Sequence, residues 1–347
     1  MTLASAAFLP PGDAFGRSAT LDFGLHAPVL GMPLRIRSNA EQALRHAEVD
    51  FGVWRTLPSG LVGDGPVATF DIVVHPRTAE ALGPLTYRRH GAVFMAAAGT
   101  VMVSVLPELA HAVAFVPAHA LEDGEWFRSH VTGLAWMLAS RHRRVPLHAA
   151  AVVGDARALL LLAESGGGKS TLAYACGHAG LRVLTEDTVF VDAAGSVARL
   201  WGGLPCHWLR PAAVDMFPEL AGHPVVVRGN GKPRLRIPAA GPPLLTTTAP
   251  VSAVLIETGG DEPVLEALGS DVLADRVAAD RTEGFDQYPE SRPGVVDWLR
   301  TRPAYLCRRG PDPRLTARLL ARLAAAPSES PASMRLPMST TLTTTIP

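Results

Sequence analysis

The stretch LLAESGGGKSTLAYA, residues 161 to 175, holds the side chains best suited to chemistry. Gly166, Gly167 and Gly168 let a backbone curl so that its N–H groups surround an anion, Lys169 can reach terminal phosphate oxygens, and the Ser170 hydroxyl is a ligand for Mg²⁺. The candidate nucleotide-binding residues run from Glu164 and Ser165 through the glycines to Lys169, Ser170 and Thr171. The general pattern, G-x-x-x-x-G-K-[ST], asks for glycine where Ala163 stands, a small change if φ there stays negative. An acidic pair, Glu186 and Asp187, follows Lys169 by 17 and 18 residues, and His148 precedes it by 21.

Phosphoryl transfer needs positioning and charge neutralisation more than covalent chemistry, and these residue types supply both. Adjacent residues on a strand point to opposite sides, so one acid can face a metal while the other faces the acceptor. Glu186, with the longer reach, is expected to act as general base on an acceptor hydroxyl, and Asp187, with Ser170, to hold Mg²⁺. His148 is expected near the transferred phosphate, where a neutral imidazole hydrogen-bonds a carboxylate or a phosphate oxygen. Lys169 is expected on an exposed loop. Lys232, Arg234 and Arg236 alternate in GNGKPRLRIP and leave two options open: a cationic strand face that meets phosphate oxygens, or a solvated edge strand protected by charge. Cys206 and His207 have no partner pair at metal-ligand spacing and read as structural.

A phosphate loop needs a strand to deliver it and a helix to leave it. VPLHAAAVV, a turn at Gly154 and Asp155, and ARALLLLA predict a hairpin of two buried strands ahead of the loop, with a helix starting near Lys169. LRVL and TVFVD predict strands on either side of the acidic pair, followed by SVARLWG. Residues 201 to 250, rich in Pro and Gly, read as long loops around a site or as an inserted lobe. VSAVLIE and PAYLCRR predict two more strands, and PDPRLTARLLARLAAA a helix entered through Pro and Asp.

Upstream, LRIR, ATFDIVV and TVMVSV alternate with one helical piece, SNAEQALRHAEV, which Ser38 can cap with Glu41 three residues on. Residues 120 to 143 predict one helix with Phe127, Val131, Leu134 and Leu138 along a single face and basic residues at its end. The organisation expected is a small α/β domain over 1–118, a larger α/β domain over 119–327, and a tail of disordered composition over 328–347.

The 32 Lys+Arg balance the 32 Asp+Glu, so no net field recruits nucleic acid or an anionic membrane, and neither is expected as a partner. Three scattered cysteines fit no disulfide framework, and the N-terminus lacks a basic region ahead of its short apolar stretch, so a cytoplasmic location is expected. The longest apolar run, residues 91 to 116, is interrupted by Gly99, Thr100, Pro107, Glu108 and His111 and predicts strands, not a membrane span.

The stretch from His148 to Asp192 resembles the catalytic core of the HPr kinase/phosphorylase family, which shares a P-loop fold with phosphoenolpyruvate carboxykinase. In that family a histidine opens the strand pair before the loop, the loop reads Ser-Gly-x-Gly-Lys-Ser, and an acidic pair follows the helix. Here these are His148, the run Ser165 to Ser170, and Glu186-Asp187, with Glu186 where the family usually has Asp. The resemblance implies an α/β P-loop kinase domain preceded by a smaller α/β domain. It also implies transfer of the γ-phosphate of ATP, with Mg²⁺, to a serine-like hydroxyl of a protein or peptide. A nucleotide-binding regulator that has lost transfer and a small-molecule kinase remain as rivals, and a homo-oligomer is left open.

Overall fold

The computed structural model describes residues 19–76, 81–83, 85–90, 93–140, 144–195, 197–203, 205–228, 231–279, 292–326 and 333–335. The first sheet opens with a hairpin of β1 (Phe23–Val29) and β2 (Met32–Ser38); helix α1 (Glu41–Phe51) then crosses over to β3 (Ala68–His75), which lies parallel to β2. Strands β4 (Thr86–His90), β5 (Val93–Ala98), β6 (Val101–Leu106) and β7 (His111–Pro117) complete it in the order β1-β2-β3-β7-β6-β5-β4. Period-2 alternation turns Leu34 and Ile36, Phe70 and Ile72, and Ala112 and Ala114 into one core with Ala43, Ala47 and Phe51 of α1. The apolar run 91–116 is therefore largely strand, as its interruptions require. No helix among the described residues is long and apolar enough to cross a membrane.

Two local expectations need correction. Ser38 ends β2 and does not cap α1; its hydroxyl accepts from the Ala40 N–H at 3.1 Å, and the cap position itself is Ala40. The helix expected over 120–143 is broken into α2 (Gly124–His130), capped by the Asp123 carboxylate on Trp126 N, and α3 (Ala135–Ser140). After Val131, at φ −111° and ψ −70°, the chain tightens into a 3-10 turn over Thr132–Leu134, where Val131, Thr132 and Gly133, all weak helix formers, stand together. Phe127, Val131, Leu134 and Leu138 are still all buried, because burial of that face, not helix continuity, is what the core demands. The basic residues 141–143 lie outside the described residues.

The second half runs β8 (Val145–Leu147), β9 (Ala150–Val153), β10 (Ala158–Leu162), α4 (Lys169–His178), β11 (Arg182–Thr185), β12 (Val189–Asp192) and β13 (Arg199–Trp201). An inserted lobe follows, in which β14 (Cys206–Leu209), β15 (Val225–Val227) and β16 (Pro233–Pro238) form a three-stranded sheet in the order β14-β16-β15. The chain returns through β17 (Thr246–Thr247), β18 (Val251–Thr258), β19 (Val264–Leu268), α5 (Ser270–Ala279), α6 (Arg292–Arg300), β20 (Ala304–Arg309) and α7 (Pro313–Ala325). Within the stretch expected as a tail, β21 (Ser333–Arg335) pairs with β19.

The second seven-stranded sheet has the order β11-β9-β10-β18-β20-β19-β21. The expected β9–β10 hairpin is its antiparallel start, and β10, β18 and β20 run parallel. One face of this sheet packs Leu159 and Leu161 with α4 and α7; the other packs Leu160 and Leu162 with β8, β12, β13, α5 and α6. That two-sided cover explains why β10 is apolar at every position and not alternating. The first core continues into this half, since it includes Phe190, Trp201 and Leu245.

Candidate functional site

Residues 163–168 join β10 to α4 at the end of the sheet where β18 and β20 also finish, the side on which open α/β sheets bind ligands. Gly166 and Gly168 have φ of 85° and 94°, values that side chains other than glycine rarely adopt. Gly167 is glycine for a different reason: a Cβ there would lie 2.8 Å from the Cβ of Ala163. The alanine that replaces the first glycine of the general pattern is thus accommodated four residues later. Gly168 occupies the N-cap position of α4 without a side-chain cap, so the first N–H groups of that helix face the loop.

Lys169 is not the exposed loop lysine expected. It is 6% exposed, and its Nζ donates to the Ala163 carbonyl at 2.9 Å, folding the side chain back along the loop. Glu164 points outward and pairs with Arg276 of α5 at 2.9 Å; Ser170 and Thr171 are half-buried in the first turn of α4. Two guanidinium groups lie against the glycines. Arg210 Nη2 is 2.8 Å from where a Cβ on Gly166 would be, and Arg309 Cζ is 3.3 Å from the same point on Gly168. The Nε of Arg309 is buried and has no hydrogen-bond partner among the described residues.

A second feature feels the charge of Lys169. The segment VPLHAAAVV is not one strand: β8 pairs with β12 in one sheet, while β9 pairs with β11 in the other. His148 and Ala149 cross between the sheets on one segment, and residues 186–188 cross on its neighbour. Because the two crossings are paired at both ends, they lie side by side, and His148 Nε2 comes 3.3 Å from Asp187 Oδ1. Asp187 is 60% exposed. Its carboxyl is held below the usual carboxylate range, first by the hydrogen bond with His148, against an opposing effect of burial, with the fields of Arg228 and Lys169 helping.

Glu186 points the opposite way, as adjacent residues do, but its direction reverses the expected division. It is 4% exposed; Oε1 accepts from Trp208 N at 2.8 Å and Oε2 lies 3.6 Å from His207 Nδ1. The cause is β14, an edge strand whose Trp208 N–H faces away from β16 and needs an acceptor. The extra methylene of Glu lets the carboxylate reach it. A buried carboxylate bonded to the lobe is not free to reach an acceptor.

The remaining candidates lie in the lobe. β16 is the central strand there, so the edge-strand option for its arginines does not hold; Leu235 and Ile237 face inward, and Arg234 and Arg236 face outward. Arg236 bonds the side chain of Cys206, whose thiol burial pushes up. His207 is buried edge-on against Tyr174 of α4, with ring centroids 5.3 Å apart. Sequence reasoning did not single out Arg210, Arg228 or Arg309. Arg309 alone carried a signal, as a cation at the C-terminal end of a strand beside the loop.

No protein-family profile matches the chain, and no curated protein matches it. Among solved structures, the HPr(Ser) kinase/phosphatase from Coxiella burnetii is similar over 51% of this chain and 95% of that chain, at 12% identity and a TM-score of 0.28. A likeness of that size carries no weight for chemistry.

Proposed function

We propose that the chain is a MgATP-dependent phosphotransferase acting on a hydroxyl. The observation that carries this reading is the glycine loop with buried Lys169, opening at the C-terminal ends of parallel strands, with the charge of Lys169 acting on the Asp187 of the His148–Asp187 pair. The residues present fit a nucleotide polyphosphate. Two glycines of positive φ leave the loop bare of side chains where two arginines lie against it, and one of these has a buried N–H in want of a partner. The helix N-terminus adds its own preference for anions.

In this reading residues 164–171 hold the phosphates, with Lys169, Arg210 and Arg309 offsetting their charge. Ser170 would supply a metal ligand, and a site of few protein ligands suits Mg²⁺. When bound, the ion neutralises charge that builds on the transferred group. Asp187 takes the role first expected of Glu186. His148 fixes its Oδ1, which leaves Oδ2 to receive the acceptor proton, and its lowered pKa keeps the carboxylate ionised throughout the neutral range. Glu186 becomes a positioning residue that ties the crossing to the lobe. The acceptor class, a serine-like hydroxyl of a protein or peptide, comes from the resemblance of the His148–Asp192 stretch.

Titration calorimetry with ATP in the presence and absence of Mg²⁺ tests the reading. The wild-type chain is expected to bind MgATP, and Lys169→Met, which keeps the buried stem but removes the charge, to weaken binding at least about tenfold. A wild-type chain that binds no MgATP, or a Lys169→Met variant that binds it equally well, overturns it.

A further inference from the structure

Arg228 stands at the base of the turn between β15 and β16, its N–H donating to the Lys232 carbonyl at 3.1 Å. Its guanidinium meets two parts of the molecule, and its charge is felt at a third. Towards the N-terminal half, Nε lies 3.7 Å from Glu125 Oε1 of α2. Towards the lobe, Cζ lies over the Trp208 ring, 4.9 Å from its centroid. Towards the candidate site, its charge acts on Asp187.

These contacts sit in a continuous chain. The Trp208 N–H is the group that Glu186 holds at 2.8 Å, so Trp208 joins Arg228 to the crossing that carries Asp187. On the other side, Glu125 also binds Arg128 and the Ser129 hydroxyl; Arg128 Nε lies 3.7 Å from Asp50 Oδ1, and Thr132 Oγ1 donates to Asp50 Oδ2 at 2.9 Å. A path of polar contacts therefore runs from α1 and α2, across the lobe, to the acidic pair.

We propose that Arg228 is a positioning residue that ties α2 of the N-terminal half, through Trp208 and Glu186, to the crossing that carries Asp187, and holds a positive charge within reach of that carboxylate. This rests on the phosphotransferase reading and assigns a task to the lobe and to the N-terminal half, which supply no residue of the glycine loop. A guanidinium stacked on an indole and paired with a carboxylate keeps a fixed direction, which a freely solvated cation would not. Its charge is thereby available to a polyanion bound near Asp187.

The test uses the full chain as wild type, Arg228→Lys, Arg228→Glu, Glu125→Arg and the paired Glu125→Arg/Arg228→Glu, each measured for MgATP affinity and thermal midpoint. Arg228→Lys is expected to keep the affinity within about threefold, because charge is retained, whereas Arg228→Glu weakens it about tenfold or more and lowers the midpoint. The paired exchange restores the ion pair and so recovers the midpoint, but reverses the charge that acts on Asp187 and so does not recover the affinity. Recovery of both would make Arg228 a staple without influence on the site and overturn the proposal. So would wild-type affinity in folded Arg228→Glu, or in Arg228→Gln should the glutamate variant not fold. A wild-type chain that binds no MgATP would reject the phosphotransferase reading instead; the tie itself would then be judged by the midpoints, and strictly additive effects of the two single exchanges would reject it.

Discussion

Exchanging each of the two adjacent acids for its amide separates their roles. Glu186 is buried and accepts from Trp208 N at 2.8 Å, so its loss is felt by the fold. Glutamine keeps an oxygen for that N–H but turns a charge-assisted bond, worth about 1.5–3 kcal/mol, into a neutral one worth about 0.5–1.5 kcal/mol. Glu186→Gln should then lower stability by about 1 kcal/mol, with little direct effect on transfer. Asp187 is 60% exposed, and its removal costs the fold little. Asp187→Asn keeps the shape and removes the proton acceptor, so turnover should fall by about two to four orders of magnitude. If Asp187 serves the acceptor, MgATP affinity should stay within about threefold of wild type. Urea unfolding gives the stabilities, and release of ADP from MgATP, with water as the acceptor, gives relative turnover. A folded Glu186→Gln variant that loses turnover as severely as Asp187→Asn would refute the assignment. So would an Asp187→Asn variant whose defect lies in MgATP binding and is relieved by excess Mg²⁺, which would place Asp187 on the metal.

Burial pushes Asp50 up to about 6 from its ordinary 3.8, although the Thr132 hydroxyl bond and Arg128 act in the opposite sense. A carboxyl whose pKa is raised by folding binds its proton more tightly in the folded chain, so this group's contribution falls as pH rises from about 4 to about 6 and stays unfavourable above that. Asp50→Asn should therefore stabilise the chain by roughly 1–3 kcal/mol at pH 7.5 and by well under about 1 kcal/mol at pH 4, and a difference that does not change with pH in urea unfolding would contradict this. At the loop, Gly167→Ala sets two Cβ atoms 2.8 Å apart and should cost about 1–3 kcal/mol in stability, part of which Ala163→Gly in the same chain recovers. Equal unfolding midpoints for Gly167→Ala and the double variant would show that Ala163 is not what excludes a side chain there.

The glycine loop, its delivering strand and its receiving helix were legible in the sequence because each depends on local properties. Positive φ at Gly166 and Gly168 is a demand of the turn itself, and the apolar run of β10 reports burial on both faces wherever that strand is placed. The β9–β10 hairpin and the interruptions that divide residues 91–116 into strands follow from the same short-range rules. The break at Val131 was locally encoded too, but it was masked by a face whose burial a continuous helix would have met equally well. What the tertiary structure alone decided is which groups gather at the loop and at the crossing that carries the acidic pair. His148 meets Asp187 because two segments change sheets side by side; Glu186 turns inward because the edge strand β14, about twenty residues on, presents an unpaired N–H; and Arg210, Arg228 and Arg309 arrive from separate strand ends and turns. Adjacent acids have the same local propensities, so nothing near them in the chain distinguishes the one that faces solvent from the one that is buried. That choice is made by hydrogen-bond partners distant in sequence, and it becomes definite only when the lobe closes against the crossing.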